Sequence, residues 1–164
     1  MSETKHPIEQ KNYHLAQVNI SRMLAPLTDT IMAEFAANLE AINLYADASP
    51  GFVWRLQNEN GNATDIRVSD DVLILVNLSV WESIEALSNY VYHSQHAKIM
   101  RKRRSWFEHS NQPIWALWWI EAGQIPTVEE GKERLEYLRQ HGSTSYAFSF
   151  AKPFPKPNII KFSS

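Results

Sequence analysis

The stretch that most constrains what this chain can fold into is residues 72–81, VLILVNLSVW. Val72, Ile74, Val76, Leu78 and Val80 alternate with Leu73, Leu75, Asn77, Ser79 and Trp81. Alternation with period two is the signature of a strand. Neither parity is polar enough to face free water, so this strand is expected to be central in its sheet and covered on both sides. The second parity turns polar towards its end, where Asn77 and Ser79 precede Trp81. Polar groups on a covered face must bond one another or line a pocket.

The remaining elements follow from periodicity and punctuation. Residues 13–22 predict a strand with His14, Ala16, Val18 and Ile20 on one face and Tyr13, Leu15, Gln17 and Asn19 on the other. After Pro26, Thr28 or Asp29 caps a helix whose stripe is Ile31, Met32, Phe35, Leu39, Ile42 and Ala46, ending near Asp47. Residues 51–57 predict a strand with Phe52, Trp54 and Leu56 opposite Val53, Arg55 and Gln57, followed by a long polar hairpin connection through Asn60-Gly61. Ser83 caps a helix carrying Ile84, Leu87 and Val91. It breaks near His93-Ser94, and Ser94 caps a second segment running to Phe107. Residues 114–121 form a strand apolar on both faces, with Trp115, Trp118 and Trp119 divided between the layer under the helices and the opposite side. Thr127 and Glu130 fit a capping box opening a helix that Gly142 ends. A last strand spans 146–151.

The order β-α-β-β-α-β-α-β predicts an α+β fold. It is a ferredoxin-like split βαβ unit with an antiparallel sheet, plus an extra C-terminal helix and strand. Residues 1–11 are expected to form a flexible leader, 12–151 one domain, and 152–164, with three prolines, an extended arm. Two helices on one sheet face leave the other bare, and a bare apolar face calls for a second copy of the chain. The expectation is a homodimer.

Charge and composition remove several classes of function. The formal net charge is -2, which gives no reason to expect nucleic acid. The basic run Arg101-Lys102-Arg103-Arg104 points in several directions around a helix and forms no stripe, although Arg103 is placed to turn inward beside Trp106. There are no cysteines, hence no disulfide, thiolate metal site or cysteine nucleophile. No apolar run is long enough to span a bilayer. The polar N-terminal segment lacks the core of a signal peptide, so a cytoplasmic protein is expected. His93 and His96 have no carboxylate at ligand spacing, so no metal is expected. Phosphate-binding, dinucleotide-binding, nucleophile-elbow and zincin motifs are all missing.

By GFVWRL, VNLSVWESIEAL, YHSQH, RRSWF and WW, the chain resembles the bacterial domain of unknown function 3291 family over residues 13 to about 150. The resemblance implies a place among the dimeric α+β-barrel proteins that include the antibiotic-biosynthesis-type monooxygenases. Members of that wider group oxidise polycyclic phenols without a cofactor, degrade haem, dehydrate, cyclise or only bind. The haem-degrading branch is similar in setting an asparagine, a tryptophan and a helix-borne histidine around one cavity. Asn77, Trp81 and His96 are the counterparts here, with Asn77 on a different strand from the usual asparagine.

If the helices cover the Val72–Val80 parity, then Asn77, Ser79 and Trp81 point into the barrel lumen. Gln17 and Asn19 join them from the first strand, and Arg55 and Gln57 from the second. Asn77 and Arg55 would polarise a ligand oxygen, and His96 would move a proton. Trp81 and Trp54 would pack nearby, and Arg103 and Trp106 would complete the wall. The implied function is a monooxygenase-like enzyme, or a cyclase or isomerase, acting on an aromatic or polycyclic small molecule without a dedicated cofactor. The alternatives are a non-catalytic ligand-binding or interaction protein on the same fold, and haem binding or degradation.

Overall fold

A computed structural model describes residues 12–57 and 69–157. The expected leader, the hairpin connection at 58–68 and the end of the tail lie outside the described residues. The elements are β1 (Tyr13–Arg22), α1 (Ala33–Asp47), β2 (Phe52–Arg55), β3 (Ile74–Trp81), α2 (Ile84–His93), α3 (Gln95–Met100), β4 (Trp115–Glu121) and α4 (Val128–His141). The four strands make one antiparallel sheet in the order β2-β3-β1-β4, the ferredoxin-like arrangement read from the sequence. β1 and β3 are central, as their two-sided apolar character requires.

Register fixes which residues share a face. Leu15 lies opposite Trp81, Gln17 opposite Ser79 and Asn19 opposite Asn77 on β3, while Leu15 and Gln17 face Trp119 and Leu117 on β4. The polar set from β1 and β3 therefore shares one side of the sheet, as the alternation predicts. Against that side lie α1, α2 and α3. Leu15, Trp81 and Leu117 pack with Ala46, Leu87 and Tyr90. Phe35 and Ile42 pack with Trp106 and Phe107.

The assignment of the helices to the Val72–Val80 parity is thus reversed. Ser79 and Trp81 lie between the sheet and the helices, and Asn77, itself exposed, is on that same side, not on a bare face opening to a lumen. The Val76, Leu78 and Val80 side meets α4, through Leu135 and Leu138. Val18 and Leu78 are at most 1% exposed. A Cβ on Gly131 of α4 would lie 3.0 Å from a Val18 methyl and 3.4 Å from one of Leu78. The glycine lets helix and sheet approach closely. The face that the sequence leaves to a second copy is covered by the chain's own helix.

Local signals mark most boundaries. Asp29 accepts from the Ile31 amide and opens a 3-10 turn at Thr30–Met32 that leads into α1. Ser83 caps α2, Ser94 caps α3 and Thr127 caps α4, each by accepting a backbone N–H. Ser94 is extended (φ -109°, ψ -175°), and this single residue separates α2 from α3. The second segment is shorter than expected: α3 ends at Met100, and a 3-10 turn at Arg103–Ser105 leads to Trp106. A register shift between Phe52 and Trp54 also breaks the alternation of β2. Phe52 joins the helix side while Trp54 joins the α4 side.

The last expected strand reduces to one bridge, in which Leu117 and Phe148 exchange backbone hydrogen bonds of 2.8 Å. Phe154 of the proline-rich tail packs near Phe148, and its carbonyl accepts from Trp119 Nε1 at 2.9 Å. Of the three tryptophans on β4, Trp118 lies under α4, and Trp119 packs on the opposite side. Trp115 meets Phe150 edge to face.

Candidate functional site

A cavity of about 80 Å³ opens between the sheet and α1 and α3. Strand β1 contributes Asn19 and Ser21, β3 contributes Leu75 and Asn77, and α1 contributes Phe35, Leu39, Ile42 and Asn43. His96 and Met100 of α3 and Arg103 and Phe107 after it close the wall. Apolar surface with a few directed polar groups is the usual form of a small-molecule site.

His96 is placed by the helix break. Ser94 Oγ accepts the His96 amide at 3.1 Å, and the ring tilts over Tyr90 with centroids 4.6 Å apart. Tyr90 in turn stacks on Trp81 and donates to the Ile42 carbonyl at 3.0 Å. His96 Nδ1 is 3.4 Å from the Val91 carbonyl, a long contact. A carbonyl only accepts, so this contact favours the proton on Nδ1 and leaves the Nε2 lone pair free to take one. Burial is the main cause holding the imidazole below its ordinary range, with the Arg103 charge adding to it and the Val91 contact opposing. Burial thus favours the neutral ring, the form a base needs.

Beneath the cavity floor, Gln17 Nε2 donates to Asn77 Oδ1 at 2.6 Å and to Ser79 Oγ at 2.7 Å. Ser79 Oγ also accepts from Trp81 Nε1 at 2.8 Å. The Asn77 oxygen is thereby engaged, and its NH₂ group is what it offers to a ligand. Gln17 itself is 1% exposed and lines nothing. Among the described residues its Oε1 has no hydrogen-bond partner.

Of the expected site residues, Asn19, Asn77, His96 and Arg103 come together at the cavity. The others do not line it. Arg55 shares the polar side but is ion-paired with Asp47 at the end of α1, Nε to Oδ1 2.7 Å. Gln57 is exposed, and Trp54 is on the far face beyond the β2 bulge. Ser79 and Trp81 are buried as supports, and Trp106 is core, 5.3 Å from Phe35. His93 is exposed at the end of α2. Arg103 turns inward as expected, over Phe107 at 4.8 Å, with its NH2 group on Ser21 Oγ. The rest of the basic run is exposed, and Lys102 pairs with Glu34.

Sequence reasoning missed Ser21 and Asn43. Ser21 continues the odd parity of Gln17 and Asn19. Asn43 is a polar residue beside Leu39 and Ile42 on the apolar stripe of α1. Both signals were available.

The haem-related set does not assemble around a macrocycle. Trp81 is sealed beneath Tyr90, and the space beside His96 is smaller than the ~150 Å³ in which a protein interior holds benzene. These residues do not fit haem. Among the described residues no cluster of histidine and carboxylate side chains stands ready for a metal, and no helix is long and apolar enough to cross a membrane.

The fold and cavity define an α+β protein of ferredoxin-like topology with a cavity between sheet and helices. More particularly, the chain belongs to the family described as domain of unknown function 3291, whose pattern matches residues 14–162. No curated protein matches the sequence. Several solved structures are similar in fold. SnoaB, a cofactor-independent oxygenase from Streptomyces nogalater, is 17% identical, with 68% of this chain and 94% of that one covered at a TM-score of 0.42. PA3566 from Pseudomonas aeruginosa is 11% identical, with 73% and 100% covered at 0.44. NE2512, a protein of unknown function from Nitrosomonas europaea, is 13% identical, with 70% and 96% covered at 0.42. Likeness at this level concerns backbone layout and not chemistry.

Proposed function

We propose that this chain is a monooxygenase-like enzyme that works without a dedicated cofactor on a small molecule held between the sheet, α1 and α3. One observation carries the reading: a buried imidazole, His96, lines the same cavity as Asn77, whose amide oxygen is already engaged. His96 takes a proton from a phenol-like hydroxyl or from a carbon beside a carbonyl. The charge then develops on the ligand oxygen, where the NH₂ groups of Asn77 and Asn19 stabilise it. An electron-rich anion of this kind reacts directly with dioxygen, or is reprotonated elsewhere in an isomerisation.

Arg55 leaves this scheme because Asp47 holds it, and Arg103 takes its place. The cavity volume also narrows the ligand, since 80 Å³ encloses less than a full ring and the rest of a one-ring ligand would stand in the open side of the cavity. A homodimer remains part of the proposal through the family resemblance alone, because α4 removes the exposed-face argument for it. A dimer mass in light scattering at micromolar concentration supports it, and a monomer mass ends it.

The test uses one-ring phenols and enolisable ketones in heavy water. Proton NMR follows deuterium entering the carbon beside the ketone carbonyl, and an oxygen electrode follows dioxygen uptake with the phenols. His96→Gln should slow exchange on the order of a hundredfold, the usual worth of a positioned base. If ligands bind but the wild-type protein exchanges none of them, the enzyme reading fails and a binding protein stands in its place.

A further inference from the structure

Among the described residues, the ionisable side chains lining the cavity are His96 and Arg103, and none is an aspartate or glutamate. Arg103 is half-buried. Its NH2 group bonds the neutral hydroxyl of Ser21, and its guanidinium lies over the Phe107 ring. Among the described residues no carboxylate pairs with it. This differs from three of the cations around it. Arg22 is bonded to Asp71 and Glu108, Arg55 to Asp47 and Lys102 to Glu34.

A cation taken partly out of water without an anion is costly, and a guanidinium has five N–H donors in a planar fork. One hydroxyl and one aromatic face leave much of that fork unsatisfied. The surrounding amides of Asn19 and Asn77 can supply further donors. Beside them Phe35, Ile42, Met100 and Phe107 offer apolar surface.

From this juxtaposition we propose that the cavity selects a small organic monoanion, with a carboxylate held by the Arg103 fork and an apolar group of one ring or less against α1 and α3. The inference rests on the small-molecule reading of the same site and specifies its ligand class. A carboxylate fits a single fork bidentately. A phosphate dianion would call for a second cation, and none lines this wall. Burial also lowers the guanidinium from its ordinary range, as expected for a cation lacking a fixed counter-charge.

The experiment is a titration of isotope-labelled full-length protein with two matched pairs, benzoate and benzamide, and isobutyrate and isobutyramide. Backbone amide shifts are followed by NMR. The acids should bind on the order of ten- to a hundredfold tighter than their amides, the worth of one charged hydrogen bond. Shifts should centre on α3 and the adjoining end of α1. In Arg103→Gln that preference should vanish. In Arg103→Lys, which keeps the charge but not the fork, it should be reduced.

Equal binding of acid and amide at these positions overturns the anion assignment and leaves the cavity reading standing. Failure of all four ligands to shift any cavity residue overturns both. Should Arg103→Gln lower the melting temperature, the Lys variant and the wild-type acid-to-amide ratio still decide the matter.

Discussion

The ring of His96 lies 4.6 Å from that of Tyr90, which is itself stacked 5.1 Å from Trp81. The candidate base is thus the outermost member of an aromatic column rooted in the sheet. Its environment predicts a pH dependence. Because burial lowers the His96 pKa, the unfolded chain binds a proton there that the folded chain refuses. The stability this represents is fully present above the unfolded value of ~6.5, and is lost as pH falls from there through the folded value. Thermal denaturation between pH 7.5 and 5 should show a decline that is shallower in His96→Gln. Equal declines in the two proteins would refute it.

Tyr90→Phe removes a buried hydroxyl that donates to the Ile42 carbonyl across α2 and α1. Burial holds that phenol well above its ordinary range, so it stays a donor throughout the working pH range. The loss should be about 1 kcal/mol in urea unfolding, with the aromatic column intact.

Ser94→Ala removes the cap of α3 and should cost about 1 kcal/mol. It also loosens the backbone that aims His96. Hydrogen exchange at the His96 amide should accelerate more than at amides of α4.

At Gly131 two effects oppose each other. Replacing glycine in a helix favours folding by ~1 kcal/mol. A β-branched side chain there would drive into Val18 and Leu78, and overpacking of this kind costs about 1–3 kcal/mol. Gly131→Val should therefore lower the melting temperature. If α4 is displaced as a result, the apolar sheet face is uncovered and the variant should self-associate, which light scattering detects.

Arg55→Ala separates the two arginines of the expected site, one on β2 and one after α3. It breaks the pair with Asp47 and should cost on the order of 1 kcal/mol. Ligand-induced shifts at the cavity should persist, in contrast to Arg103→Gln.

Much of the fold was legible because each signal is local. Alternation marked β1 and β3, single residues such as Ser83, Ser94 and Thr127 marked helix starts, and element order implied the sheet. The grouping of Gln17, Asn19, Asn77, Ser79 and Trp81 on one side also followed, since side-chain period in a strand is two. The bulge in β2 escaped notice because it inserts one residue without a glycine or proline to mark it. That is why Phe52, grouped with Trp54 by parity, was assigned to the wrong side.

What the sequence could not decide is which side the helices take. On β3 the set Val76, Leu78, Val80 and the set Leu75, Trp81 are both apolar, so exchanging the faces leaves the pattern unchanged. Only long-range packing breaks that symmetry: α4 docks Gly131 against Val18 and Leu78, and α1 to α3 settle over Trp81. The same packing sorts the polar residues. Ser79, Gln17 and Trp81 satisfy each other as supports, Arg55 goes to Asp47, and Asn19, Asn77, His96 and Arg103 remain at the open space. The sequence alone determined the strand partners and which polar residues share a face. Only the tertiary structure determined which of those groups faces the open cavity, because a side chain's surroundings there depend on neighbours far along the chain.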